Sequence, residues 1–271
     1  MKVIKGLFVG LVLLLGLGGC GEKTSEENNR KVVKLGISGD ENIIWENVRD
    51  TLKKEGIDLK FISFGDYIRP NIALNEKEID INAFQTEIYF DNFKKEHNLN
   101  IVNLGYTVLA PMGIYSKKIK NISELKDGAT VAIPNDSSNG GRALLLLEDG
   151  GLIKVDKSSG ALPRVKDILE NPKNLKIVEL VATQIPRSLE DVDMAAINNG
   201  VAVQGGYSPL EDSIFIEDPK NERMKLYFNI VAAREDNKNR EEIKRVLEVY
   251  QSPENKKIID DYYKGSSVAV F

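Results

Sequence analysis

The residues of this 271-residue chain whose types and spacing favour chemistry point to holding a ligand more than to transforming one. His97, the only histidine, sits in the polar run Lys94-Lys95-Glu96-His97-Asn98, the setting of a solvated surface side chain. With one histidine and one cysteine, the chain lacks the clustered nitrogen and sulfur ligands that zinc prefers. No G-x-S-x-G elbow is present to expose a nucleophilic serine. The pairs Gly140-Gly141, Gly150-Gly151 and Gly205-Gly206 fit neither of the glycine spacings that cradle phosphates. Carboxylates are plentiful, but none stands out by its local setting. Neither an enzyme nor a bound metal or cofactor is expected.

Groups suited to binding are better placed. The run Asn135-Asp136-Ser137-Ser138-Asn139-Gly140-Gly141 leads to Arg142 and reads as a polar loop that opens a helix. Free amides at a helix start favour an anion, and an arginine there can take a carboxylate in its two-pronged fork. A plain N-cap followed by a surface arginine would leave the same pattern. Phe61 to Tyr67 and Phe84 to Tyr89 set aromatic rings at the ends of two strands, as walls for an apolar or thioether side chain or as ordinary core. Asn198-Asn199-Gly200 follows another strand, either as a turn or as a source of amide partners for an amine.

The remaining reactive group, Cys20, belongs to the leader. Lys2 and Lys5 precede an apolar run from Leu7 to Leu17, too short to span about 30 Å of hydrocarbon comfortably and flanked like a signal peptide. Leu17-Gly18-Gly19-Cys20 resembles the lipobox of bacterial lipoproteins. That resemblance implies cleavage after residue 19 and acylation at Cys20, with the two or more chains, palmitate among them, that stable anchoring needs. The polar stretch that follows, through residue 31, reads as a flexible tether.

Positioning these groups takes alternating strands and helices. Val32–Ile37, Leu59–Phe64 and Ile79–Phe84 are strand candidates, and Ile44, Val48 and Leu52 mark one face of a helix beginning near Glu41. The order predicts an α/β sandwich with a largely parallel sheet. The same grammar restarts at Thr130–Ile133 and continues through Ile177–Val181 and Met194–Ile197, with a helix predicted over Leu162, Val165 and Leu169. Two successive units suggest two lobes. Ile243, Val246, Leu247 and Tyr250, then Ile258, Ile259 and Tyr262, recur at helical spacing and are expected to return to the first lobe. Crossings fall near Tyr106–Met112 and Tyr227–Ile230, and a cleft between lobes is where ligands favour binding. Without residues 1–19 the chain keeps 252 residues and a net charge of −6, a poor match to nucleic acid.

Read in order, several blocks resemble the methionine-binding, NlpA-type lipoproteins of methionine-uptake ABC transporters, a branch of the periplasmic-type substrate-binding proteins. They are Phe64-Gly65-Asp66-Tyr67 with Pro70-Asn71, Asp80-Ile81-Asn82-Ala83-Phe84-Gln85, and Tyr115-Ser116-Lys117-Lys118. Val131-Ala132-Ile133-Pro134-Asn135-Asp136, Gly141-Arg142, Asn171-Pro172-Lys173-Asn174, Pro186-Arg187-Ser188-Leu189 and Arg234-Glu235-Asp236-Asn237 complete them. The resemblance covers nearly the whole mature chain. It implies an α/β, two-lobed periplasmic-binding-protein-like sandwich with a ligand cleft between the lobes, residues 32–110 and 230–271 forming one lobe and 111–229 the other. It further implies a monomeric receptor, lipid-anchored at Cys20 on the extracytoplasmic face, which delivers L-methionine to a permease with its cytoplasmic ATPase.

By that resemblance Tyr67, Phe84 and Tyr89 enclose the ligand's side chain, Arg142 holds its carboxylate, and Asn198 and Asn229 fix its head group. Thr86 stands in the pocket wall as a departure, since the family run continues with histidine and lysine where this chain has Thr86-Glu87. Asn199-Gly200-Val201 and Gly205-Gly206 also replace bulkier residues. Another amino acid or a methionine-containing dipeptide therefore competes with methionine, and a surface lipoprotein in adhesion or signalling is the alternative of another class.

Overall fold

The computed structural model describes residues 31–39 and 43–271. The signal peptide, Cys20, all but the last residue of the tether and the predicted helix start at Glu41 lie outside the described residues.

Two mixed sheets organise the chain. The first contains β1 (Lys31–Ser38), β2 (Ile57–Phe64), β3 (Ile81–Asn82), β4 (Ile101–Leu109), β12 (Phe228–Arg234) and β13 (Val268–Ala269), in the order β13-β4-β12-β3-β1-β2. The second contains β5 (Gly113–Tyr115), β6 (Thr130–Pro134), β9 (Lys176–Leu180), β10 (Met194–Ile197) and β11 (Ser213–Ile216), in the order β11-β5-β10-β6-β9. A small hairpin of β7 (Lys154–Val155) and β8 (Ile168–Glu170) stands apart. Each sheet is parallel on one side and antiparallel on the other. The expectation of a largely parallel sheet is corrected here. β12 and β5 enter from the crossings instead of from a helix, so they run against their neighbours.

Helices cover the sheets where sequence periodicity supplies an apolar face. They are α1 (Ile43–Lys54), α2 (Arg69–Asn75), α3 (Glu87–His97), α4 (Ser137–Asp149), α5 (Ile185–Ser188), α6 (Asn199–Gln204), α7 (Glu241–Tyr250) and α8 (Pro253–Tyr263). Ile44, Trp45, Val48 and Leu52 of α1 meet Val246, Val249 and Ile259 of the C-terminal helices over Val33 and Leu35, so the chain end does return to the first sheet. Around the second sheet, Leu144 to Leu147 of α4 pack with Val131, Ile133 and Met194. β10 is buried along its whole length, as expected of a central strand covered on both faces.

The helix predicted over Leu162, Val165 and Leu169 does not form. Pro163 and the positive φ of Gly160 (60°) break the run, Val165–Asp167 is a 3-10 turn, and Leu169 lies exposed on β8. The chain leaves the first sheet after Leu109 and enters the second at Gly113. It returns through a 3-10 turn at Glu222–Tyr227 that runs straight into β12.

Candidate ligand-binding cleft

Between the two sheets lies a cavity of about 430 Å³. Tyr67, Phe84, Thr86, Arg142, Asn198 and Asn229 all line it. Tyr89 does not. Its ring stands behind Tyr67 and Phe84, with centroids 6.1 and 6.0 Å away, and its hydroxyl donates to the Tyr67 carbonyl at 2.7 Å. Tyr89 instead faces a smaller neighbouring cavity of about 310 Å³ shared with Asn92 and Asp136.

Three buried amides hold the aromatic wall. Asn71 and Gln85 exchange hydrogen bonds at 2.7 Å in each direction, and Asn82 donates to Asn71 at 2.9 Å. Every amide in the set finds a partner, which is what makes a buried polar cluster rigid instead of costly. The segment between Asn82 and Thr86 is thereby pinned and presents Phe84 at 5.8 Å from Tyr67. Thr86 serves as N-cap of α3, its hydroxyl accepting from the Tyr89 amide. Its backbone bridges to Asn229, whose side-chain amide donates to the Val108 carbonyl at 3.0 Å.

The opposite wall departs from the sequence expectation in one respect. Residues 137–141 are not loop; α4 begins at Ser137, capped by Asp136, whose carboxylate accepts from the Asn139 amide at 2.8 Å. Gly140 and Gly141 allow this tight start. A Cβ on Gly140 would stand 2.6 Å from the Pro134 carbonyl oxygen, and one on Gly141 would stand 3.0 Å from Leu162 Cα. Arg142 thus lies in the second turn, and the free amides at the helix start serve the chain's own Asp136.

Nor is the Arg142 fork free. Its Nε donates to Glu217 Oε1 at 2.8 Å, and its Nη2 donates to Glu217 Oε2 at 2.5 Å and to the Ala110 carbonyl at 3.0 Å. Both side chains are almost fully buried, at 3% and 2% exposure. Tyr227 lies beneath, its ring centroid 4.2 Å from the guanidinium carbon. Burial pushes that phenol up to about 12, so the ring stays neutral. Only Nη1 has no hydrogen-bond partner among the described residues. The fork expected for a ligand is therefore not free: its Nε–Nη2 edge belongs to Glu217, which leaves Nη1 as the nitrogen without a partner among the described residues.

A chain of amides gives Asn198 its direction. The Asn139 side chain donates Nδ2 to the Asp136 carboxylate, at 3.1 and 3.0 Å. Its Oδ1 must then accept, and it does so from Asn198 Nδ2 at 2.7 Å. Asn198 is left with a buried Oδ1 that no group of the described protein satisfies. An unpaired buried acceptor costs free energy, and an ammonium in the cavity would satisfy it. Asp136 carries the negative end of the chain; burial raises its pKa, partly offset by the bonds from Asn139.

Contacts join the rims of the cleft. Asn92 of α3 donates to Ser137 of α4 at 2.6 Å, Gln204 of α6 donates to the Ser38 carbonyl at 3.2 Å, and Asn199 donates to the Ser266 carbonyl at 2.8 Å. Tyr67 packs on the apolar cluster that includes Ile185 and Ile197. His97 is exposed and stacks on Phe93 at 4.1 Å. Among the described residues no group of His, Cys, Asp or Glu is arranged to hold a metal ion, and no helix is long and apolar enough to cross a membrane. Sequence reasoning missed Asn139, Glu217 and Tyr227. Asn139 lay inside a run already marked as polar and was available; Glu217 is 75 residues from its partner, and nothing local marks it.

Residues 33–271 match the family model described as NlpA lipoprotein. The chain is 44% identical over 262 residues to the D-methionine-binding lipoprotein MetQ of Salmonella typhimurium, covering 95% of this chain and 94% of that protein. Among solved structures, protein PG110 from Staphylococcus aureus aligns with a TM-score of 0.85 at 45% identity, over 88% of this chain and 94% of its own. A nutrient-binding protein from Burkholderia cenocepacia bound to methionine aligns with a TM-score of 0.83 at 42% identity, over 88% and 100%.

Proposed function

The chain belongs to the NlpA lipoprotein family, and from that premise we propose that it is the substrate receptor of an ABC importer, taking methionine into the cleft between its lobes. The observation that carries this is a cationic and an acceptor residue lining one cavity, each with an unused group: Arg142, whose Nη1 has no partner among the described residues, and Asn198, whose Oδ1 is unsatisfied. A free amino acid presents the complementary carboxylate and ammonium. Tyr67 and Phe84 then offer their faces to a thioether, which packs well against aromatic rings. The charged ends of a ligand leave water at a cost that only full pairing offsets, and the cleft supplies partners for both.

Residues 32–110 with 230–271 form one lobe and 111–229 the other. Arrival of the ligand draws them together, so that Thr86 of the first lobe, with Asn229 at the boundary between the two, faces Arg142 and Asn198 of the second. The receptor works outside the cytoplasm, held by acyl chains on Cys20, and hands methionine to a permease driven by its cytoplasmic ATPase. It binds and does not transform. A methionine-containing dipeptide is the second reading, because the cavity continues past the head-group residues to Trp45, Tyr250 and Tyr263.

Calorimetric titration of refolded, ligand-free protein with both enantiomers of methionine, the other amino acids and glycyl-methionine tests the assignment. Methionine is expected to bind tightest at one site per chain. A clear preference for another compound would overturn the specificity, and no binding by any amino acid would overturn the receptor reading.

A further inference from the structure

Glu217 is buried at 2% side-chain exposure, beside a cleft whose ligand is itself an anion at one end. A second carboxylate there needs a reason, and its contacts supply one. The Glu217 side chain takes Nε and Nη2 of Arg142 and also accepts from the Met112 amide at 2.6 Å, while its own amide donates to the Met112 carbonyl at 3.1 Å. Met112 belongs to the first crossing between lobes. Nη2 of Arg142 reaches Ala110 in the same crossing at 3.0 Å. Tyr227, under the guanidinium plane at 4.2 Å, is the last residue of the turn that makes the second crossing. The guanidinium is therefore fastened to both pivots of the molecule.

From this we propose that Glu217 is a positioning residue: it holds the Arg142 fork against the crossings so that Nη1 alone is aimed at the ligand carboxylate, in the same pose whether the cleft is open or shut. This rests on the reading of the cleft as an amino-acid site. A pivot moves least when lobes swing, so the carboxylate seat exists before closure, and the ligand docks on the second lobe first. Preorganisation of this kind strengthens binding by removing the cost of ordering a long cationic side chain on arrival. It also sets the stoichiometry of the grip at one nitrogen instead of a fork.

The substitution Glu217→Gln separates aim from charge because the two have opposite signs. Removing the negative charge by itself would favour a ligand carboxylate. Losing the aim would disfavour it, since the amide nitrogen of the substituted side chain must face either Nε or the Nη2 and Met112 donors, a donor-to-donor clash in both orientations. The E217Q protein is titrated calorimetrically with methionine, and with methioninol and methioninamide, which lack the carboxylate. Methionine is expected to weaken by about tenfold or more, as for a disrupted buried charge pair, and the carboxylate-free ligands by less than about twofold. An unchanged or tighter methionine affinity overturns the proposal, and so does an equal loss for all three ligands, the mark of a merely structural role.

Should E217Q fail to fold, the wild-type protein decides. With ¹⁵N-labelled arginine, the Arg142 Nε–H signal, assigned by its absence in R142K, is expected to stay protected from exchange both without ligand and with methionine. A signal that is unprotected in the free protein, or that moves to the ligand on binding, overturns the proposal. Wild-type protein that binds no methionine would instead count against the amino-acid site, and the signal from the free protein would still report whether Glu217 holds the fork.

Discussion

Asn198 has a defined hydrogen-bonding sense because both carboxylate oxygens of Asp136 accept from the Asn139 side-chain amide. That fixes Asn139, and Asn139 in turn fixes Asn198 with its oxygen left unpaired. The substitution Asn198→Ala removes the acceptor and leaves the aromatic wall in place. Methionine affinity is expected to fall by about 1.5–3 kcal/mol, the range for a hydrogen bond to a charged group, in a calorimetric titration, while the melting temperature changes little. Equal affinity for methionine in N198A would remove Asn198 from the head-group site. At this scale the sequence was partly legible. Arg142, Asn198 and the Phe84 segment carry their own local signals, and all three meet at one cavity. Glu217 and Tyr227 do not, because their meaning lies in contacts 75 residues apart and in a cation stacked on a ring, neither of which leaves a pattern in neighbouring residues.

Helix α4 shows what periodicity can and cannot give. The apolar stretch Leu144 to Leu147 announces a helix, yet its start was misplaced because glycine and serine have low helix propensity. Packing overrides that preference: Gly140 and Gly141 are the residues small enough to let the first turn pass Pro134 and Leu162. The cap Asp136 then gives the element a pH dependence. Burial holds its carboxyl above the usual range in the free cleft, whereas a ligand ammonium at the end of the Asn139–Asn198 chain favours the ionised form. The free protein thus binds that proton more tightly than the complex does, and methionine binding releases it. Affinity is expected to fall as pH drops through the raised Asp136 value, before the ordinary carboxylate range of about 4 is reached. Kd measured across this window checks it, with Asp136→Asn expected to flatten the profile. A wild-type Kd that holds constant down to the ordinary range would contradict the role given to Asp136.

For the whole molecule, alternation of strands and helices was enough to foresee two lobes and a returning C-terminal pair of helices. Strand direction was not foreseeable. β12 and β5 become antiparallel neighbours only because the chain crosses between sheets beside them. The same crossings carry Ala110, Met112 and Tyr227 to Arg142, so the geometry that joins the lobes is also the geometry that aims the site. In the proposed reading, acylation at Cys20 adds reach instead of specificity, keeping the receptor near a permease by raising local concentration. The most direct measurement of the account is the crystal structure of the protein with methionine. The ligand carboxylate is predicted within hydrogen-bonding distance of Arg142 Nη1 with the Glu217 fork intact, the ammonium on Asn198 Oδ1, and the thioether against Tyr67 and Phe84. Methionine lying in the reverse sense, or bound outside this cavity, would contradict it.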